Sequence, residues 1–200
     1  MRLLVLDASL DRCLVALVED GRVLAEAQEP GAHGQPARLP PLLEAVLAQG
    51  APAGIAACVG PGSFTGIRTA LALAHGLALA RALPLCGVTV GEALQAEAGP
   101  GWPVWSATEN RRGALFLEGA GPPRTVAEAA LPRPDGPVRL AGDGAPRAAA
   151  RLLARGATAM LTELRRPSAR GLALAGAARR AGALPPRAAE PLYLDPPATT

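Results

Sequence analysis

The chain has 200 residues, half of them hydrophobic, enough for one large domain or two small ones around a packed core. No uninterrupted apolar run reaches the roughly 18 residues of a membrane helix, and the start, Met-Arg-Leu-Leu-Val-Leu-Asp, meets a carboxylate too early for a signal-peptide core, so a soluble cytoplasmic protein is expected. The net charge of +3 rests on arginines spread along a chain without lysine, and aromatics are 2% of it, so direct RNA recognition by stacking is not expected.

Residues 3–6 form a continuous apolar run that ends in Asp7-Ala8-Ser9. Residues 13–18 form a second, and Asp20-Gly21 turns it into a third over 23–27, which together predict three consecutive antiparallel strands. A loop over 30–36 leads to a helix whose Leu39, Leu42, Leu43, Val46 and Leu47 recur on one face, with Gly50 as its stop. A buried strand is expected over 54–59, a long helix over 65–83, a strand over 85–88 and a short helix over 90–98.

Between the fourth strand and the long helix stands Gly60-Pro61-Gly62-Ser63-Phe64-Thr65-Gly66-Ile67-Arg68. Gly60 and Gly62 allow backbone angles that a side chain forbids, Pro61 stiffens the turn, and Ser63 or Thr65 is placed to cap the helix. Such a helix start also suits an anion. The motif is neither a P-loop nor a full G-x-G-x-x-G, so a tight structural turn built by Gly60, Pro61, Gly62, Thr65, Gly66 and Arg68 is the simpler reading.

Gly99-Pro100-Gly101 marks a boundary between residues 1–99 and a second half, 100–200. There a hairpin over 103–107 and 114–117, a strand over 138–141, a helix over 146–154, a short strand over 157–161 and a last helix over 168–181 repeat the first half loosely. The last helix is expected to pack back on residues 1–99. The order of elements is that of the duplicated ribonuclease-H-like α/β fold of the actin, hexokinase and Hsp70 superfamily, with mixed sheets and a degenerate second half.

In that architecture Asp7 and Ser9 lie beside the phosphate turn, with Gly62 and Ser63 in one candidate nucleotide loop and Gly142 and Gly144 in the other. The turn after the first strand lacks a glycine to bring backbone near a phosphate. Cys13, Cys58 and Cys86 sit far apart in apolar runs and predict neither disulfide nor zinc. His33 and His75 form no ligand motif, so no metal site is expected.

The nonapeptide after the fourth strand resembles the signature of the TsaB (YeaZ) family of bacterial tRNA-modification subunits. The Asp7-x-Ser9 opening and His33 agree with it, as do Glu109-Asn110-Arg111 and the Pro191-Leu192-Tyr193-Leu194 ending. The resemblance implies a pseudo-enzyme without catalytic residues or a cofactor of its own, ATP or ADP entering only within a complex. That complex would contain the catalytic subunit TsaD and the ATPase TsaE, and would make N6-threonylcarbamoyladenosine at position 37 of tRNA. It implies tRNA contact only through the complex and no membrane, with homodimer and monomer as the alternatives for the isolated chain. The long helix is apolar on more than one face and rich in small residues, so its side bearing Thr69, Leu73, Gly76, Leu77 and Ala80, with Leu42 and Val46 of the preceding helix, is the candidate partner interface. A small actin-like ATPase or kinase and a glycoprotease-like hydrolase are the alternative readings.

Overall fold

The protein is described by a computed structural model for residues 1–31, 33–110 and 112–194; Arg111 of the Glu109-Asn110-Arg111 landmark lies outside the described residues. Two five-stranded mixed sheets follow one another along the chain. The first contains β1 (Arg2–Asp7), β2 (Arg12–Glu19), β3 (Arg22–Pro30), β4 (Gly54–Gly60) and β5 (Leu85–Thr89), in the spatial order β3-β2-β1-β4-β5. The second contains β6 (Val104–Glu109), β7 (Leu115–Glu118), β8 (Arg124–Val126), β9 (Val138–Ala141) and β10 (Ala159–Leu161), in the order β10-β9-β6-β7-β8. In both, the first three strands are antiparallel neighbours and the fourth and fifth add in parallel. The fold is a duplicated ribonuclease-H-like unit.

The first sheet is covered on both faces, because β1 alternates between two cores. Leu4 and Leu6 point toward α1 (Gln35–Leu47) and α2 (Phe64–Arg81), meeting Leu39, Leu43, Val46, Ile67, Ala70, Leu71 and Ala74. Leu3 and Val5 point the other way, toward α3 (Val90–Ala98) and α5 (Ala169–Arg180), meeting Leu94, Leu172, Ala173 and Ala175. Burial on both faces explains why these strands read as unbroken apolar runs. The last helix of the chain thus packs against the first sheet and α3. The second sheet has one core of its own, where Trp105, Leu115, Leu117 and Leu140 pack against Ala148 and Leu152 of α4 (Ala145–Ala154).

The second repeat keeps all five strands. Where the first repeat has α1, it has only a single 3-10 turn, Glu128–Ala130. Neither that turn nor the three-residue β8 carries a periodicity long enough to see in sequence. The helix expected after a loop over 30–36 starts at Gln35, within that loop, and runs through Pro40 and Pro41. Each proline removes one amide donor, and burial of Leu39, Leu43 and Val46 on the sheet offsets that loss.

Candidate functional site

At the C-terminal ends of the first strands of both repeats lies a cleft of about 340 Å³, lined by Ser9, Asp11, Gly62, Phe64, Glu109 and Asp143 among others. It brings together the two segments expected near phosphate. Ser9 is buried, and both its amide and its hydroxyl donate to Asp7 Oδ1, at 2.8 and 2.6 Å. Asp7 is 1% exposed, and its Oδ2 has no hydrogen-bond partner among the described residues.

The glycine loop lies against that turn with no gap. A Cβ built on Gly62 would stand 2.0 Å from the carbonyl oxygen of Ser9, and one on Gly66 1.8 Å from that of Ala8. Ser63 N donates to Ser9 O at 2.6 Å, and the Ser63 hydroxyl caps α2 by accepting from Gly66 N at 3.3 Å. The second repeat reproduces the contact. A Cβ on Gly142 would stand 2.2 Å from Ala107 O, and Gly144 N donates to the same oxygen at 3.0 Å. In both repeats the glycines bring backbone onto backbone, and the Ser63 and Gly144 amides, which would otherwise be free to cradle a phosphate, are spent on carbonyls of the neighbouring strand ends.

The charges lining the cleft are mostly negative, and part of that charge is neutralised from outside. Arg166 pairs with Asp11 at 3.1 Å, Arg147 pairs with Glu109 at 3.2 Å, and Asp143 accepts from Glu109 N at 2.8 Å. Among the described residues no group of three or more His, Cys, Asp and Glu side chains is placed to hold a metal ion.

The remaining loop residues are placed as follows. Pro61 is buried after a cis peptide bond from Gly60. Thr65 is exposed, its carbonyl accepting from Thr69 Oγ1 at 2.8 Å. Arg68 turns outward and binds the chain end: its Nε donates to Tyr193 Oη at 2.7 Å, and its guanidinium lies 3.8 Å over the Phe64 ring. Phe64 and Tyr193 stack at 5.4 Å. Residues 187–194 form a strap across the first repeat. Gly87 N donates to Arg187 O, Leu192 N to Val59 O, and His75 Nε2 meets Ala189 O at 2.8 Å. Thr125 of β8 then bonds Leu194 O at 3.3 Å, so the strap reaches the second repeat. His75 is therefore an exposed side chain that holds the strap, and His33 is exposed.

A second, buried link joins the repeats behind the cleft. Glu118 of β7 is 4% exposed and accepts from Gly91 N of α3 at 2.7 Å, and burial pushes its carboxyl up to about 7. One residue along α3, Glu92 completes a capping box with Thr89. Burial alone would raise its carboxyl, but the hydrogen-bonded Arg179 of α5 holds it below the ordinary range. Sequence reasoning missed Glu118, Arg179 and the Phe64–Arg68–Tyr193 stack; an acidic residue closing an apolar strand was the one local signal, at Glu118.

The outward side of α2 is the remaining candidate surface. A Cβ on Gly76 would find nothing within 4 Å, Ala72 and Ala80 are exposed, and Leu79 is 87% exposed. Thr69 and Leu73 are half-buried and line a shallow depression with Pro36, Pro40, Arg68 and Ala72; Leu77 and Leu42 are half-buried at the edge of the core. Two expectations are corrected here. Val46 is wholly buried against the sheet and offers nothing to a partner, because it shares the inward stripe with Leu39 and Leu43. The long helix is buried along one side only, through Ile67, Ala70, Leu71 and Ala74.

The family described as "TsaD: tRNA N6-adenosine threonylcarbamoyltransferase" matches residues 36–117. The tRNA threonylcarbamoyladenosine biosynthesis protein TsaB of Escherichia coli (strain K12) is 38% identical over 95 residues, spanning 44% of this chain and 40% of that protein. YeaZ from Pseudomonas aeruginosa superposes with a TM-score of 0.77 at 28% identity, over 96% of this chain and 99% of the other. A structure titled as an uncharacterized protein with similarity to peptidase YEAZ, from Pseudomonas aeruginosa, gives 0.78 at 27%, over 97% and 99%. Likeness in sequence to TsaB over part of the chain and in fold to YeaZ over nearly the whole of both chains agree, and this chain is similar to the TsaB (YeaZ) proteins.

Proposed function

We propose that this chain is a non-catalytic subunit needed for forming N6-threonylcarbamoyladenosine in tRNA. It pairs through the outer side of α2 with a TsaD-like transferase and acts with a TsaE-like ATPase in the cytoplasm. The observation that carries this reading is the unpartnered side of α2, where Ala72, Gly76, Leu79 and Ala80 lie open in the monomer. Apolar surface of this kind on a helix already packed on its other side fits association with a second helix, and glycine and alanine allow close approach of the two backbones. A scaffold role is supported further by the loops. In an actin-like ATPase they would be free to bind phosphate; here the Ser63 and Gly144 amides already donate to Ser9 and Ala107.

The test is genetic and chemical. Cells depleted of this protein should lose threonylcarbamoyladenosine from their tRNA and regain it with the wild-type gene. Unchanged modification in its absence would refute the function.

A further inference from the structure

We propose that the end of the second repeat remote from the cleft is an RNA contact, where an unpaired base stacks on Trp102 and the neighbouring phosphates meet Arg133 and Arg155. The proposal rests on the tRNA-modification reading above and adds to it a direct contact by this subunit.

Residues 100–162, which carry the second sheet, hold eight arginines against five carboxylates, and six more arginines, from Arg165 to Arg187, lie on and around α5 against the first sheet. The second repeat is therefore net basic, and a basic domain is the electrostatic footprint of a nucleic-acid partner.

Trp102 is 45% exposed and stands as the wall between two depressions of about 520 and 340 Å³. Its backbone is fixed from beneath. Arg139, on β9, donates to the carbonyls of Ala98, Gly99 and Trp102 at 2.8, 2.7 and 2.9 Å, which pins the linker that presents the ring. A ring held this way loses little freedom when a base stacks on it.

Arg133 is exposed in the wall of the larger depression and makes no ion pair among the described residues. Arg155 is exposed just after α4, and its Nη1 donates to Leu131 O at 2.6 Å, two residues before Arg133. Because β9 runs away from this end and α4 returns to it, Arg155 and Trp102 lie at the same end of the sheet. Asp135 is the carboxylate lining the groove.

The expectation against RNA came from the scarcity of aromatics, but one exposed, anchored ring with an exposed arginine in the same depression is a sufficient stacking platform. A proline-rich peptide is the other occupant that a tryptophan groove suggests. Such a ligand uses parallel aromatic ridges, and here Trp105 is only 7% exposed, while the exposed Arg133 in the wall that Trp102 shares complements phosphate.

The experiment is binding of an unmodified tRNA transcript to the full chain alone, by fluorescence anisotropy and tryptophan quenching from 50 to 200 mM salt. Trp102→Ala should weaken binding about tenfold, and Arg133→Ala with Arg155→Ala should lower the slope of log affinity against log salt by about one to two. Arg133→Glu, in an exposed loop, serves if Trp102→Ala fails to fold. No binding at 50 mM salt, affinity and slope unchanged in the variants, or displacement by a proline-rich peptide but not by RNA would each overturn the proposal. Gly76→Arg separates the two readings: it should lose the transferase partner and keep tRNA.

Discussion

Arg68 and Tyr193, 125 residues apart in sequence, are joined by a 2.7 Å hydrogen bond from guanidinium Nε to phenol oxygen, with Phe64 stacked beside them. The chain end is thereby tied to the helix that begins at the glycine loop. Tyr193→Ala should lower stability by about 1–2 kcal/mol, from the aromatic and cation–π contacts together, whereas Tyr193→Phe should cost under about 1 kcal/mol. Urea denaturation measures both, and hydrogen exchange should quicken over residues 187–194 in the alanine variant.

Gly62 and Gly66 should tolerate no side chain. A methyl group at either meets a carbonyl oxygen of the β1–β2 turn at 2.0 or 1.8 Å, so backbone must move. Gly62→Ala and Gly66→Ala should each cost about 2–4 kcal/mol or abolish folding. Gly76→Ala, in open space on the same helix, should gain about 0.5–1 kcal/mol. Equal melting temperatures for all three would contradict the packing described.

Glu118 should make stability depend on pH. Its folded-state carboxyl sits at about 7 against an ordinary 4.5, so the folded protein holds this proton more tightly than the unfolded chain. Stability from this group is therefore complete below about pH 4.5 and is lost as pH rises to about 7, by about 3 kcal/mol in all. Glu118→Gln keeps an acceptor for Gly91 N without the charge. Its advantage over the parent in chemical denaturation should be small at pH 5 and grow by about 2–3 kcal/mol by pH 8.

Mg-ATP should give no saturable heat in calorimetry with the isolated chain below about 1 mM, because the loop amides are bonded within the protein and the cleft carries Asp11, Glu109 and Asp143. A micromolar site lost in Asp7→Ala would instead support an actin-like ATPase.

Much of the fold was legible because β1, β2, β4 and β5 carry apolar runs closed by turn residues, and α2 is a long, mostly apolar stretch without proline. Proline misled the start of α1, where tertiary burial of Leu39 outweighs two lost amides. The three residues of β8 hold no pattern to detect. The glycine loop could be recognised, but the reason for its glycines could not, since the opposing Ser9 and Ala8 carbonyls come from another part of the chain. Val46 was misjudged because, within an amphipathic stripe, sequence does not say which apolar residue faces the sheet. The strap and Glu118 are long-range contacts with no local signature.

The pairing of α2 with a TsaD-like partner is tested most directly by the affinity of Gly76→Arg for that subunit, measured by calorimetry on the two purified proteins beside the variant's melting temperature. Nothing in the monomer lies within 4 Å of a Cβ at this position, and arginine is a better helix former than glycine, so the melting temperature should hold or rise. A long charged side chain pressed into a helix contact should weaken association at least about 100-fold, through overpacking and desolvation. An unchanged dissociation constant with the fold intact would contradict the account.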